Sequence, residues 1–172
     1  HVAGIHWYSD YQSNGELILN NVNILNNYGT GLKTNWNSGT CLLTNVVING
    51  NKYRGIDGLK NATLDSCEIS YNEFGGLKEL TNVDIQNSII SYNTILKRDG
   101  GNSGAGINNI YSSTLTNVVI EHNKTIDGAG GGILVSNGAS NTILENVTIR
   151  YNYALRGGGI YQSAAGSDGN FI

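Results

Sequence analysis

The chain contains no proline, no methionine and only two cysteines, and charged residues make up just 13% of it. Against those shortages stand 24 glycines and 26 asparagines, a balance that favours turns and short strands and leaves little to build an α-helix. Charge is scarce and the formal net value is −3. That excludes nucleic acid as an expected partner, because phosphate binding needs a concentrated basic surface. No apolar run approaches the ~18–20 residues of a transmembrane helix, so membrane insertion of this segment is not expected. No signal-peptide pattern opens the chain, but it begins at His1 rather than methionine, so the missing leader carries no information.

What is present is one motif, repeated. Aligned on a central isoleucine, the copies give Ile24, Ile48, Ile69, Ile90, Ile120 and Ile149, each with an aliphatic residue five positions earlier: Leu19, Leu43, Leu64, Ile85, Leu115 and Leu144. Three positions after the isoleucine stands a column of Asn27, Asn51, Asn72, Asn93, Asn123 and Asn152. Three positions before it runs a second polar column of Asn21, Asn45, Ser66, Asn87, Asn117 and Asn146. Each copy closes on a glycine and an aliphatic residue, from Gly31-Leu32 to Gly159-Ile160. The shortest period is 21 residues, and fixed periods of this size mark solenoids. The apolar runs are short, rich in Val, Ile, Thr and Leu, and bounded by Asn and Gly, so they read as strands.

The spacing predicts an all-β parallel solenoid of about six coils and three parallel sheets, with the columns headed by Leu19, Val22 and Ile24 facing inward. A single coil cannot fold alone. Ordering it costs ~1–2 kcal/mol per residue, against ~1.5–3 kcal/mol returned by each inward aliphatic side chain. Stacking at about 4.8 Å supplies the remainder and sets like residues over like. Residues 1–172 read as one β-helix segment cut mid-coil at both ends: 1–14 form a partial coil, 15–170 the six repeats, and 171–172 the start of another, with Phe171 in its first aliphatic position.

Both asparagine columns are expected at bends, as ladders, because asparagine tolerates the left-handed conformation and its amide reaches the copies above and below. Of three glycosylation sequons, at Asn61, Asn123 and Asn146, the latter two lie in these ladders, which leaves Asn61 as the accessible acceptor. Two residues after the isoleucine the column reads Asn26, Gly50, Tyr71, Tyr92, His122, Tyr151. Ring stacking near a corner is the favoured reading, and a sugar-binding strip the other. His122 has no second histidine at metal-ligand spacing, and neither a metal nor a cofactor is expected. Cys41 and Cys67 fall in different columns of adjacent coils, beyond the ~7 Å Cα separation a disulfide allows. Asp57 is followed in its column by Lys78, a surface ion pair worth little.

From the ladder asparagine to the closing glycine the first three coils take four residues, but the last three take thirteen, nine and seven. These insertions enter at one repeat position, so they are expected on one side, where solenoids keep their binding surfaces. They carry the binding-surface candidates Lys97, Arg98, Asp99, Lys124, Asp127, Tyr153 and Arg156. Glycan cleavage needs paired carboxylates, or a basic residue beside metal-holding acids, which makes Asp99, Asp127, Arg98 and Arg156 the catalytic candidates. The non-catalytic reading is preferred, because glycine-dominated loops give such side chains little rigid support.

The repeat L-x-N-V-x-I-x-x-N with G-G-G-I resembles the right-handed parallel β-helix superfamily, which includes pectate-lyase-like enzymes and bacterial surface proteins. Its style is most similar to polymorphic outer-membrane proteins and related bacterial adhesins, which carry G-G-A-I and F-x-x-N. The matching residues are Gly157-Gly158-Gly159-Ile160 with Ile149-Arg150-Tyr151-Asn152, and Gly130-Gly131-Gly132-Ile133 with Ile120-Glu121-His122-Asn123. Glycine stands for the alanine and isoleucine for the phenylalanine. The N-T-D, D-D, G-H-G and R-I-K motifs of polygalacturonase-like enzymes do not occur. The resemblance implies an extracellular or cell-surface segment acting as adhesin, stalk or structural module. The alternative is part of a polysaccharide lyase, glycoside hydrolase or epimerase acting on acidic glycans.

The expected partners are further β-helix coils, or a second copy through open ends, together with a glycan or a host or cell-surface receptor. Expressed alone, the segment is expected to self-associate through unpaired end strands. Sedimentation velocity across a concentration series tests this, and a concentration-independent monomer would refute it.

Overall fold

The computed structural model describes residues 3–8, 15–35, 39–96, 103–135 and 141–163. Among them every regular element is a strand, and all strand pairings are parallel. One isolated antiparallel bridge joins Phe74 and Ile95. The chain winds as a parallel β-helix with three strand columns per coil. The third column is a six-stranded sheet of Asn23–Leu25, Val47–Asn49, Glu68–Ser70, Ile89–Ser91, Val119–Glu121 and Thr148–Arg150. The other two columns run into one another, because Ile56–Asp65 and Leu77–Gln86 each pass through both and join them into an 11-stranded sheet. These ten-residue strands bend without breaking. Gly58 (φ 82°) and Asn61 (φ 52°) turn the first, and Glu79 (φ 54°) and Asn82 (φ 55°) the second.

The register stacks like on like. Ile24, Ile48, Ile69, Ile90, Ile120 and Ile149 pair in succession, as do Leu19, Leu43, Leu64, Ile85, Leu115 and Leu144. Ile48, Ile69, Leu64 and Leu115 have no exposed surface, so each contributes ~1.5–3 kcal/mol by burial. The inward valine column continues through Val46, Cys67, Ser88 and Val118. Ser88 is tolerated there because its hydroxyl accepts from Cys67 N (3.0 Å) and donates to Gln86 O (2.6 Å). A buried polar group is stable when its bonds are made inside.

The two asparagine columns do different work. The column of Asn21, Asn45, Ser66, Asn87, Asn117 and Asn146 is left-handed throughout, with φ between 50° and 56°. Its exposed amides donate to the preceding coil, as in Asn45 Nδ2 to Asn21 Oδ1 (2.6 Å) and Asn146 Nδ2 to Asn117 Oδ1 (2.7 Å). Where Ser66 interrupts it, Asp65 substitutes by accepting from Asn87 Nδ2 at 2.9 Å. The column from Asn27 to Asn152 is not left-handed, contrary to expectation. Those asparagines point inward, and the left-handed turn falls on the residue before each.

Within this inner ladder each Nδ2 donates to the next coil's Oδ1, at 2.9, 2.9, 2.9, 3.0 and 3.1 Å from Asn27 through Asn123. It also reaches back to a strand carbonyl: Asn72 Nδ2 to Ile48 O is 3.1 Å and Asn93 Nδ2 to Ile69 O is 2.9 Å. Each Oδ1 in turn accepts a backbone N–H of the coil before, as Asn72 Oδ1 does from Asn51 N at 3.1 Å. Asn51, Asn72, Asn93 and Asn123 are wholly buried, and amides aligned in one direction polarise one another.

The closing glycines exist to make room for that ladder. A Cβ on Gly55 would lie 2.8 Å from Asn72 Nδ2 and 2.7 Å from Gly76 O, and one on Gly76 would lie 2.8 Å from Asn93 Nδ2 and 2.8 Å from Gly106 O. Removing the Asn72 amide strands partners on both neighbouring coils, so Asn72→Ala is expected to cost about 3–5 kcal/mol. Gly55→Ala is expected to cost about 2–4 kcal/mol from overpacking. Asn117→Gly, on the solvent-exposed ladder, should cost under about 1 kcal/mol. Denaturant unfolding of the three variants measures the ranking.

Candidate functional site

The corner between the six-stranded sheet and the inner ladder is turned by Asn26, Gly50, Tyr71, Tyr92, His122 and Tyr151, with φ of 54°, 67°, 56°, 54°, 54° and 54°. Because these residues repeat once per coil, their rings stack. Tyr71 and Tyr92 lie 4.8 Å apart and 3° from parallel, Tyr92 and His122 4.7 Å and 2°, and His122 and Tyr151 5.0 Å and 24°. The stack stands in solvent: Tyr71, Tyr92 and Tyr151 are 54%, 41% and 71% exposed. A left-handed residue with a side chain costs ~1–2 kcal/mol, while a stacked pair returns ~0.5–1.5 kcal/mol. Four left-handed ring residues against three pairs do not come out ahead, and Gly50 and Asn26 turn the same corner more cheaply.

Charge flanks the stack. Lys52 and Glu73, neighbours in the column that follows the inner ladder, form an ion pair. The hydrogen bond from Lys52 to Glu73 holds the ammonium pKa above its ordinary value, but both groups are half-exposed and the pair adds little stability. Arg150 Nε lies 2.6 Å from Glu121 Oε2, and its guanidinium lies 5.7 Å from the centre of the Tyr151 ring. Arg54 is 5% exposed, sits 4.7 Å over the Tyr53 ring and reaches Asp57 Oδ2 at 3.8 Å. The expected pairing of Asp57 with Lys78 is therefore corrected. The two residues are in register, but the cation beside Asp57 is Arg54, three residues earlier on its own coil.

Of the loop candidates, Lys97, Arg98 and Asp99 lie outside the described residues. The structure brings Lys124 and Tyr153 together: their backbones bridge and the ammonium stands 5.5 Å from the ring centre. Asp127 and Arg156 are exposed. The backbone of Arg156 bridges Ala129, and no ion pair joins Asp127 to Arg156 among the described residues. The inner halves of the first two loops are packed. Ser103, Ala105 and Ala129 are buried, and a Cβ on Gly131 would lie 2.5 Å from Gly158 O. Among the described residues no cluster of three metal-binding side chains occurs.

The sequons differ in their amides. Asn123 is buried, and Asn146 is exposed with its Nδ2 bonded to Asn117. Asn61 is exposed and accepts from Asn82 Nδ2 at 2.8 Å. Asn146 is thus withheld by its bond rather than by burial. Sequence reasoning missed the Lys52–Glu73 and Glu121–Arg150 pairs, although each joins adjacent coils in one column and was visible in the aligned repeats. Nothing in the alignment points to Arg54.

The thiols offer no nucleophile near neutrality. Both are free and buried. Burial, with a smaller contribution from nearby Cys67, pushes the Cys41 pKa up to about 12, and burial raises that of Cys67 as well. An unfolded Cys41 ionises near 9.0, whereas the folded one keeps its proton to about 12. The folded state then binds more protons, and stability falls as pH rises across that window. Folded protein should resist alkylation at pH 8 and react once unfolded. Cys41→Ala should flatten the decline in unfolding free energy between pH 9 and 12, as read by denaturant melts.

No helix among the described residues is long and apolar enough to cross a membrane, which leaves β-barrel spans unaddressed. No significant match is found among curated proteins or among solved structures. The sequence model of the family described as "Right handed beta helix region" matches residues 3–172. Together with the all-parallel strands stacked coil upon coil, this shows that the chain belongs to the right-handed β-helix family.

Proposed function

We propose that the chain is a segment of an extracellular or cell-surface β-helical protein, an adhesin or binding stalk whose rigid coil carries an aromatic corner as its contact strip. The observation that carries this reading is the cost of the corner. Four ring residues hold a left-handed backbone that glycine or asparagine would hold more cheaply, and their edges face water. Exposed tyrosine is well suited to recognition, since it combines a large apolar face with a hydroxyl and few rotatable bonds. Lys124 with Tyr153 and Arg150 with Tyr151 extend the strip with cations.

The four rings can be removed without removing the turn, because asparagine tolerates the left-handed conformation. Replacing Tyr71, Tyr92, His122 and Tyr151 together by asparagine should leave the melting temperature unchanged or higher and abolish retention on an immobilised panel of acidic and neutral polysaccharides. Incubation with the same panel should yield no unsaturated products and no new reducing ends. Turnover that disappears in Asp127→Ala or Asp99→Ala would overturn this reading in favour of a lyase or hydrolase.

A further inference from the structure

The exposed amide ladders have a direction, and that direction sets their first rung apart. Each Nδ2 donates to the coil before it, as Asn146 does to Asn117, Asn117 to Asn87 and Asn45 to Asn21. A shorter ladder on another corner obeys the same rule: Asn82 Nδ2 donates to Asn61 Oδ1 at 2.8 Å. Asn61 is thus held by its oxygen, while its own amide nitrogen makes no hydrogen bond to another described residue. That nitrogen opens the sequence Asn61-Ala62-Thr63. Asn61 is exposed, on a left-handed backbone with φ 52°. Thr63 stands on the outer face between the buried Ala62 and Leu64, and its hydroxyl makes no hydrogen bond to another described residue. The other two sequons differ. Asn123 commits Nδ2 twice, to Asn152 Oδ1 at 3.1 Å and to Ile90 O at 2.9 Å, and is wholly buried. Asn146 commits its Nδ2 to Asn117 at 2.7 Å.

We propose that Asn61 is an N-glycosylation site, modified by an oligosaccharide carried on a lipid pyrophosphate as the chain is exported. This rests on the reading of the chain as extracellular, which supplies the donor. In the transfer the Asn61 nitrogen bonds to C1 of the first sugar, the C1–O bond to phosphate breaks, the pyrophosphate leaves with the electron pair, and the amide gives up one proton. The folded coil tolerates the product because the bond that fixes Asn61 uses the oxygen, which the modification leaves in place. A sugar on Asn123 would have to enter the inner ladder, so a chain modified there cannot close its coils. Position follows from the fold. The rings and the inserted loops share one corner of the solenoid, the ladder from Asn21 to Asn146 turns the second, and the bend from Gly58 to Asn61 is the third. A glycan is bulky and solubilising. On Asn61 it rises from the one corner that carries neither the rings nor the longer ladder.

The test is export of the whole chain, behind a cleavable leader, from cultured eukaryotic cells. Secreted and cell-retained protein are both digested with an N-glycan amidase in heavy-oxygen water, which converts each glycosylated asparagine to a labelled aspartate, and mapped by peptide mass spectrometry. Secreted chain is expected to carry the label at Asn61 and at neither Asn123 nor Asn146. Asn61→Gln and Thr63→Ala should each abolish it, whereas Thr63→Ser, which keeps the hydroxyl, should retain it. The melting temperature of Asn61→Gln reports that loss of the glycan is not loss of the fold. An unlabelled Asn61 in both pools, or secreted chain labelled at Asn123 or Asn146 as fully as at Asn61, would overturn the proposal. The host supplies leader and donor wherever the chain naturally resides, so an unlabelled Asn61 counts against the acceptor and not against the extracellular reading. Retention on polysaccharide by the Asn61→Gln chain is read separately and bears on the ring corner alone.

Discussion

An asparagine amide and a side chain on the closing glycine of the coil before it cannot occupy the same place, and the coils closed by Gly31 through Gly132 are built on that exclusion. The inner amides run in one direction through the coils, and those of Asn51, Asn72, Asn93 and Asn123 are each bonded to the next coil's oxygen, to a strand carbonyl and to a backbone N–H. They fit because the closing glycines leave the space empty, and those glycines in turn bring successive backbones within reach of one another. Replacing the asparagine disturbs three coils at once, and a side chain on the glycine collides with the coil that follows. This explains why the glycine and the asparagine recur with equal fidelity although they stand several residues apart.

Inside and outside are organised by separate rules. Inside, aliphatic columns and satisfied amides supply the stability, and even Ser88 is accommodated because its hydroxyl finds both an acceptor and a donor. Outside, the left-handed corners tolerate a range of residues, and the exposed ladder absorbs an interruption at Ser66 by recruiting Asp65. The ring corner brings no net stability, because stacking does not repay its left-handed backbone. Its composition can therefore follow the requirements of contact with another molecule.

Most of the fold was legible in the sequence because parallel stacking at a fixed spacing converts a spatial column into an alignment column. Ile48 over Ile69 and Asn72 over Asn93 could be read before any coordinates. Backbone handedness could not. Asparagine is the residue expected in a left-handed turn, so both its columns looked alike, whereas the ladder residues point inward and tyrosines take the turn instead. Nor was the ion pair of Arg54 with Asp57 visible, since it lies within one coil and leaves no column signature. Lys124 and Tyr153 share an alignment column, each following a ladder asparagine, but their contact was not drawn from it. The alignment gave no hint that Gly104, Gly128, Gly130 and Gly131 would be buried, because burial of a loop depends on the neighbour it rests on.

Successive inner asparagines are separated by 24, 21, 21, 30 and 29 residues, yet the amide bonds between them keep to 2.9–3.1 Å. Most of the extra length enters between the asparagine and the glycine, two fixed points that the ladder holds irrespective of what lies between. Coil length is thereby decoupled from coil geometry. Segments can lengthen, shorten or be exchanged at that one seam while the frame remains in register, so the displayed surface is free to diversify on a scaffold that does not have to be rebuilt each time.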